Sequence, residues 1–264
     1  VRGGYPLCTG YMATGIVEYA GSDTAGYAEG DKVYFRINTE MKTMDGTEVN
    51  LLSGTHASHA VCDPTGSTGV ALLPEGVPED IASAFVMPGV GLHGVDISNP
   101  RLGDVVLVFG AGLVGLSSMA WSNLRGCEVV ACDVDEQRLE IARKIGAVHC
   151  INSAKQDLTK ELEKISPGGA DVVIEATGIP QLLNEAIAFV RPGGKFVWQG
   201  HYGTDPVSLD FLKPHSKRVQ MFFPCDDGHE PARRATLRNI ATGALRWEET
   251  ITHRVSCEEA PGLY

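Results

Sequence analysis

The sequence predicts an α/β protein: a doubly wound parallel sheet with a smaller β-rich region ahead of it. Apolar runs of strand length alternate with helical periods between residues 88 and 226. The turn Gly110-Ala111-Gly112-Leu113-Val114-Gly115 stands at the first of those strand-to-helix junctions. Upstream of Glu79 the pattern differs, with short strand-like runs broken by Gly-rich turns and no long helical period.

In chain order, Gly15-Ile16-Val17-Glu18-Tyr19 and Asp31-Lys32-Val33-Tyr34-Phe35 read as strands, and so does 57–62. Val105-Val106-Leu107-Val108-Phe109 is a continuous apolar run, as in a parallel strand buried on both faces. A small-residue helix follows over 113–124. Next come a strand at 128–132 and a helix at 135–145, stopped by Gly146. A short strand at 148–151, a helix through Leu158 and Leu162, and a strand at 171–175 continue the alternation. Pro180 suits a first helical turn, which places a helix from there to Val190. Arg191-Pro192-Gly193-Gly194 breaks it before strands at 195–199 and 219–223. An Arg-rich helix covers 232–241, and 250–255 reads as a strand. Three regions result: 1–87, 88–226 and 227–264.

The 264 residues carry a formal charge of −11 and no basic run, which argues against nucleic acid and anionic membrane surfaces as partners. No apolar run has the length of a membrane span, and the expectation is a protein without a signal peptide. The seven cysteines are scattered, without C-x-x-C spacing. That predicts reduced residues of a cytoplasmic protein rather than a disulfide framework or a zinc knuckle. Ser256-Cys257-Glu258-Glu259 has the capping-box pattern that opens a helix, and the chain is read as a fragment of a longer one.

The glycine turn carries the clearest chemistry. Gly110 permits a tight turn, Gly112 lets a diphosphate approach the backbone, and Gly115 lets helix and strand pack closely. The N–H groups at the helix start, Leu113 and Val114 among them, together with the helix dipole, favour negative charge. Asp133 ends the next strand, 23 residues after Gly110. Its carboxylate can accept from the adenosine ribose hydroxyls and would repel a 2′-phosphate, which predicts NAD over NADP. Arg138, five residues on, can soften that preference. The alternative for Asp133 is a cap on the helix at 135–145.

With these residues placed, the chain resembles the medium-chain dehydrogenase/reductase superfamily, the zinc-type alcohol dehydrogenases and their zinc-less relatives. Four segments carry the resemblance: Gly10 to Gly21 with Gly30-Asp31-Lys32-Val33; Gly103-Asp104-Val105 to Gly115; Asp171 to Gly178, ending Glu175-Ala176-Thr177-Gly178; and Arg191-Pro192-Gly193-Gly194 to Gly200. Within it, Gly4-Tyr5-Pro6 with Gly10-Tyr11 is similar to the subgroup containing bacteriochlorophyllide hydroxyethyl dehydrogenase. The resemblance implies a Rossmann domain beside an incomplete GroES-like β domain, to which the last region returns. It implies that the family's opening segment precedes Val1. It puts Thr177 and Gly178 on the adenosine side and Gln199, Gly200 and His201 beside the nicotinamide. His201 is then either a proton donor or a solvated packing residue. A small-molecule substrate and a homodimer or homotetramer are further expectations of the same kind.

The resemblance also frames the metal question. The family's zinc ligand after the first Gly is replaced by Tyr11, a poor ligand near neutral pH. The acidic residue after it is Met12, and Phe85-Val86-Met87 stands where the third ligand belongs. The four closely spaced cysteines of the structural zinc have no counterpart between Tyr34 and Leu52. His56 and His59 read as residues of a strand rather than ligands, and Cys62 does not complete a set. The expectation is therefore no metal. Tyr11 either supplies a hydroxyl in place of the metal or plugs the vacated space. His93, in a helix, reads as packing. The leading function is an NAD-dependent oxidoreductase interconverting a secondary alcohol and a ketone. A quinone or enoyl reductase, and a non-catalytic NAD-binding sensor or subunit, are the rivals.

Overall fold

A computed structural model describes residues 4–65, 69–227 and 229–263, the side chains of His229 and Glu230 excepted. The chain divides into two units, Val1–Gly89 with Asp227–Ala244 and Val90–Asp226 with Leu245–Tyr264.

The first unit opens with strands β1 (Leu7–Cys8), β2 (Ala13–Ile16), β3 (Lys32–Phe35), β4 (Asn50–Leu51) and β5 (Ala71–Leu72) and the short helix α1 (Glu79–Ala82). β2, β3 and β5 form an antiparallel sheet, and β1 pairs with β4 in parallel. Val33, Tyr34 and Phe35 are buried, and the Tyr34 ring meets Phe85 edge-on at 4.6 Å. Helix α2 (Val86–Ser98) then leads into the second unit at Val90.

The second unit alternates strand and helix as the sequence predicts: β6 (Val105–Phe109), α3 (Leu113–Leu124), β7 (Glu128–Asp133), α4 (Glu136–Lys144), β8 (His149–Asn152), α5 (Leu158–Ile165), β9 (Ala170–Glu175), α6 (Leu183–Ala188), β10 (Val190–Trp198), α7 (Leu212–Lys217) and β11 (Gln220–Phe222). All six strands are parallel, in the order β8-β7-β6-β9-β10-β11. Numbered from β6, that is the doubly wound order 3-2-1-4-5-6, which reverses between β6 and β9. Leu107, Val130, Val173 and Phe196 fill the sheet's interior with Leu183 and Ile187 of α6 against them. Asp135 and Asp157 cap α4 and α5 through their carboxylates. Gly146, at φ +116°, ends α4 as expected.

Helix α8 (His229–Ala241) returns the chain to the first unit. The predicted return segment of 227–264 divides at Ala244, because Leu245 and Trp247 are buried in the second unit. Among the described residues no helix is long and apolar enough to cross a membrane.

Five readings of the sequence need correction. The expected break at Arg191-Pro192-Gly193-Gly194 lies inside β10. Val190 pairs with Ala170 and Lys195 with Val172, so the ladder shifts register across a bulge, with Gly193 at φ +73°. The helix from Pro180 starts as a 3-10 turn (Pro180–Leu182) and ends at Ala188. Neither 57–62 nor 250–255 is a strand. Alternating side chains suit a pleated surface but do not supply a neighbouring strand to pair with. The segment at 57–62 is held by Thr39 N–H donating to Val61 O at 2.7 Å and Val61 N–H donating to Asn38 Oδ1 at 3.0 Å. In the predicted capping box, Ser256 N–H does donate to Glu259 Oε2 at 3.1 Å, but only a 3-10 turn (Ala260–Leu263) follows.

Candidate functional site

The Gly110–Gly115 turn closes β6 onto α3 at the point where the sheet order reverses. Gly110 has φ +90°, and a β-carbon there would lie 3.0 Å from Thr177 Cγ2. A β-carbon on Gly115 would run into the Gly110 carbonyl oxygen. At Gly112 the space is open, with nothing within 4 Å of the β-carbon position. Two glycines thus serve the fold, and the third keeps a floor clear. Gly112 is also the N-cap of α3 and offers no side chain to the first N–H groups, which leaves them for an anion. This arrangement fits the diphosphate of a dinucleotide.

Asp133, at the end of β7, is buried and faces that turn. Its Oδ2 accepts from Ala111 N–H at 2.6 Å, and its Oδ1 accepts from Val134 and Asp135 N–H at 2.7 and 2.9 Å. The cap on α4 is Asp135, not Asp133. Arg138 lies in the first turn of α4 with its side chain exposed. Leu113 is exposed and Val114 half-buried at the mouth of the turn.

The neighbouring loops are tied by a carboxylate that the sequence reading passed over. Glu175, the last residue of β9, is fully buried. It accepts from Thr177 N–H at 2.9 Å, from the Thr177 hydroxyl, from Gly178 N–H at 3.4 Å and from the Tyr202 hydroxyl. Burial first, and Glu175 second, push the Tyr202 phenol far above its ordinary range, so it stays a donor. The Glu175 carbonyl takes the N–H groups of Gln199 and Gly200 at 2.9 and 2.8 Å. A charged residue inside a strand that reads as apolar is the signal for Glu175 in the sequence. Gln199 turns its amide toward α2, donating to Val90 O at 3.2 Å, while its Oε1 has no partner among the described residues. His201 is exposed, and its Nδ1 accepts from Gly203 N–H at 3.3 Å.

Within the first unit, Tyr11 is half-exposed. Arg36 Nη2 donates to its hydroxyl at 2.7 Å, and the guanidinium lies 4.8 Å from its ring centre. Met12 is engaged as well, its Sδ accepting from Val86 N–H at 3.3 Å. Phe85 and Val86 are buried apolar residues. These positions do not fit a zinc ion, because the one oxygen present faces a cation and the others offer no ligand. His56 Nδ1 lies 3.3 Å from Thr9 Oγ1, and His59 Nε2 lies 3.3 Å from Glu18 Oε2. His93, in α2, has its Nδ1 3.3 Å from Asp226 O. No group of three or more metal-ligating side chains occurs among the described residues.

A sequence profile described as zinc-binding dehydrogenase matches residues 114–240. An alcohol dehydrogenase of Cupriavidus necator is 26% identical over 306 residues, covering 100% of this chain and 82% of that protein. A zinc-binding dehydrogenase of Sinorhizobium meliloti 1021, solved bound to NADP, superimposes with a TM-score of 0.80 at 21% identity, over 95% of this chain and 77% of that one. The rspB alcohol dehydrogenase of Escherichia coli CFT073, solved with NADH, gives a TM-score of 0.76 at 20% identity, over 95% and 77%.

Proposed function

We propose that this chain, a member of the medium-chain dehydrogenase/reductase superfamily, is the core of an NAD-dependent oxidoreductase interconverting a secondary alcohol and a ketone. The observation that carries the reading is the open floor at Gly112, flanked by the bare start of α3 and by the Asp133 carboxylate. Structural relatives hold NADP in one case and NADH in another. Asp133 favours the second, since its negative charge sits where a 2′-phosphate would bring more of the same. The coenzyme, when bound, supplies hydride transfer. The Gly110–Gly115 turn and the α3 terminus seat the diphosphate, and Asp133 meets the ribose. The 176–178 and 199–203 loops line the remainder. Tyr11 is the candidate proton donor. Arg36 already occupies one lone pair of its oxygen, so the hydroxyl hydrogen is directed elsewhere. The loss of both checkable zinc-ligand positions favours the sensor as second reading.

The test is calorimetry of NADH and NADPH against the protein, followed by oxidation of the bound coenzyme with panels of ketones and enones in the presence of a chelator. Binding of NADH with turnover on a ketone supports the dehydrogenase. Binding with no turnover on any panel selects the sensor, and turnover only with NADPH and enones selects the enoyl reductase. No heat with either coenzyme removes the reading altogether.

A further inference from the structure

Glu175 poses a physical problem that its hydrogen bonds do not solve. Four donors satisfy its oxygens, yet all four are neutral. Among the described residues no lysine, arginine or histidine pairs with it. A fully buried carboxylate without a cation is costly, since hydrogen bonds screen its charge without cancelling it. A neutral residue would tie the loops with less penalty, which directs attention to what the charge itself does.

Its position supplies the answer. Glu175 is the register partner of Phe109 in β6 and of Trp198 in β10, so it stands at the carboxyl edge of the sheet, between the glycine turn and the 199–203 loop. Thr177, which binds the carboxylate through both its N–H and its hydroxyl, is also the residue against which Gly110 closes. Ligands of doubly wound sheets lie in the crevice outside these strand ends, where the order reverses. Through the low-dielectric interior an unpaired charge acts over a longer range than on the surface.

We propose that the buried charge of Glu175 sets the preference of the site between the two redox forms of a nicotinamide coenzyme, favouring the oxidised form. The oxidised ring carries one positive charge and the reduced ring none. The diphosphate and both sugars are common to the two forms, and their interactions cancel in the ratio of affinities. Glu175 therefore attracts the oxidised form by a term the reduced form lacks. This inference rests on the nicotinamide reading above and adds a residue for which that reading has no role.

The experiment measures dissociation constants for NAD+ and NADH, by calorimetry and by NADH fluorescence, in the unaltered protein and in E175Q and Y202F. In E175Q the ratio of the NAD+ constant to the NADH constant rises about tenfold, equivalent to ~1.4 kcal/mol. If Glu175 only fastens the loops, both constants rise together and the ratio stays fixed, which overturns the proposal. Y202F keeps the charge and removes one donor that draws on it. Its ratio moves the opposite way, toward NAD+, by about twofold, roughly 0.4 kcal/mol. That variant decides the matter if E175Q does not fold: an unchanged ratio, or one moving toward NADH, overturns the proposal. Failure of either coenzyme to bind the unaltered protein would instead remove the nicotinamide reading, so the two failures are distinct.

Discussion

Asp133 and Ala111 are joined across the head of the sheet, the carboxylate Oδ2 accepting from the backbone N–H at 2.6 Å. Asp133 thus shapes the glycine turn from within while presenting its charge at the end of β7. A carboxylate has about four acceptor positions, and three are taken by Ala111, Val134 and Asp135. One is left for a ribose hydroxyl, which makes D133N informative. Asparagine retains an acceptor oxygen but loses the charge. NADPH should gain on NADH by about tenfold in relative affinity, the effect of removing one like charge near a phosphate. Fluorescence titration with both coenzymes checks it, and an unchanged ratio would remove Asp133 as the discriminating residue.

The glycines of the same turn separate binding from folding. A methyl group at Gly112 enters open space, and its φ of −74° suits alanine, so G112A should leave stability within about 0.5 kcal/mol. It should nevertheless abolish coenzyme binding, because the methyl occupies the cradle floor. G115A meets the Gly110 carbonyl oxygen and should cost about 1–3 kcal/mol. Paired urea melts and coenzyme titrations distinguish the two. Equal behaviour of the variants would mean that Gly112 does not floor a ligand site.

Alkaline pH should loosen the fold through its thiols. Burial pushes Cys62, Cys127 and Cys132 up to about 11. Their folded values lie above that of an exposed thiol, about 8.5. The stability they contribute is complete below the unfolded value and is lost as pH rises through the folded one. Thermal midpoints should therefore fall between about pH 8.5 and 11, and C132V should flatten part of the decline. At pH 8, iodoacetamide should reach the exposed Cys225 and Cys257 first, as mass spectrometry of the native protein would record.

In the first unit, Asp227 and Arg233 form a buried ion pair, with Nε donating to Oδ2 at 2.5 Å and Nη2 to Oδ1 at 3.1 Å. Arg36 Nη1 approaches the same carboxylate at 3.8 Å. Removing the anion leaves guanidinium charge buried around it. D227A should cost about 3–5 kcal/mol. Urea denaturation measures it, and a cost under about 1 kcal/mol would show that water reaches the pair.

The alternation of apolar runs and helical periods was enough to read the parallel sheet, because a strand buried on both faces has no other way to appear in a sequence. Val105-Val106-Leu107-Val108-Phe109 followed by three spaced glycines leaves little freedom in what comes next. The small β-rich unit was less legible, since strands of two residues such as β1 and β4 have no period to detect. At Arg191-Pro192-Gly193-Gly194, composition signals a turn, but ladder bonds on either side carry the strand through it as a bulge. In the site, the glycines and Asp133 declare themselves by spacing. Glu175 and Arg36 do not, because their importance lies in partners that are distant in sequence, Tyr202 for one and Tyr11 for the other.

That second pair leads to the last prediction. A phenol offers one hydrogen and two lone pairs. Arg36 fills a lone pair of Tyr11 at 2.7 Å, and the guanidinium above the ring holds the side chain in one orientation. The Tyr11 hydrogen has no acceptor among the described residues, so it is available to an oxygen that gains negative charge. If Tyr11 protonates the product alkoxide, Y11F should lower kcat for ketone reduction by about 100-fold and leave the NADH dissociation constant unchanged. In that role Arg36 reaches the reaction through Tyr11, so R36M combined with Y11F should add little to the kinetic loss of Y11F alone. Steady-state kinetics of the three variants, with urea melts to show that each is folded, checks both statements. Full activity in Y11F would assign the residue to filling space.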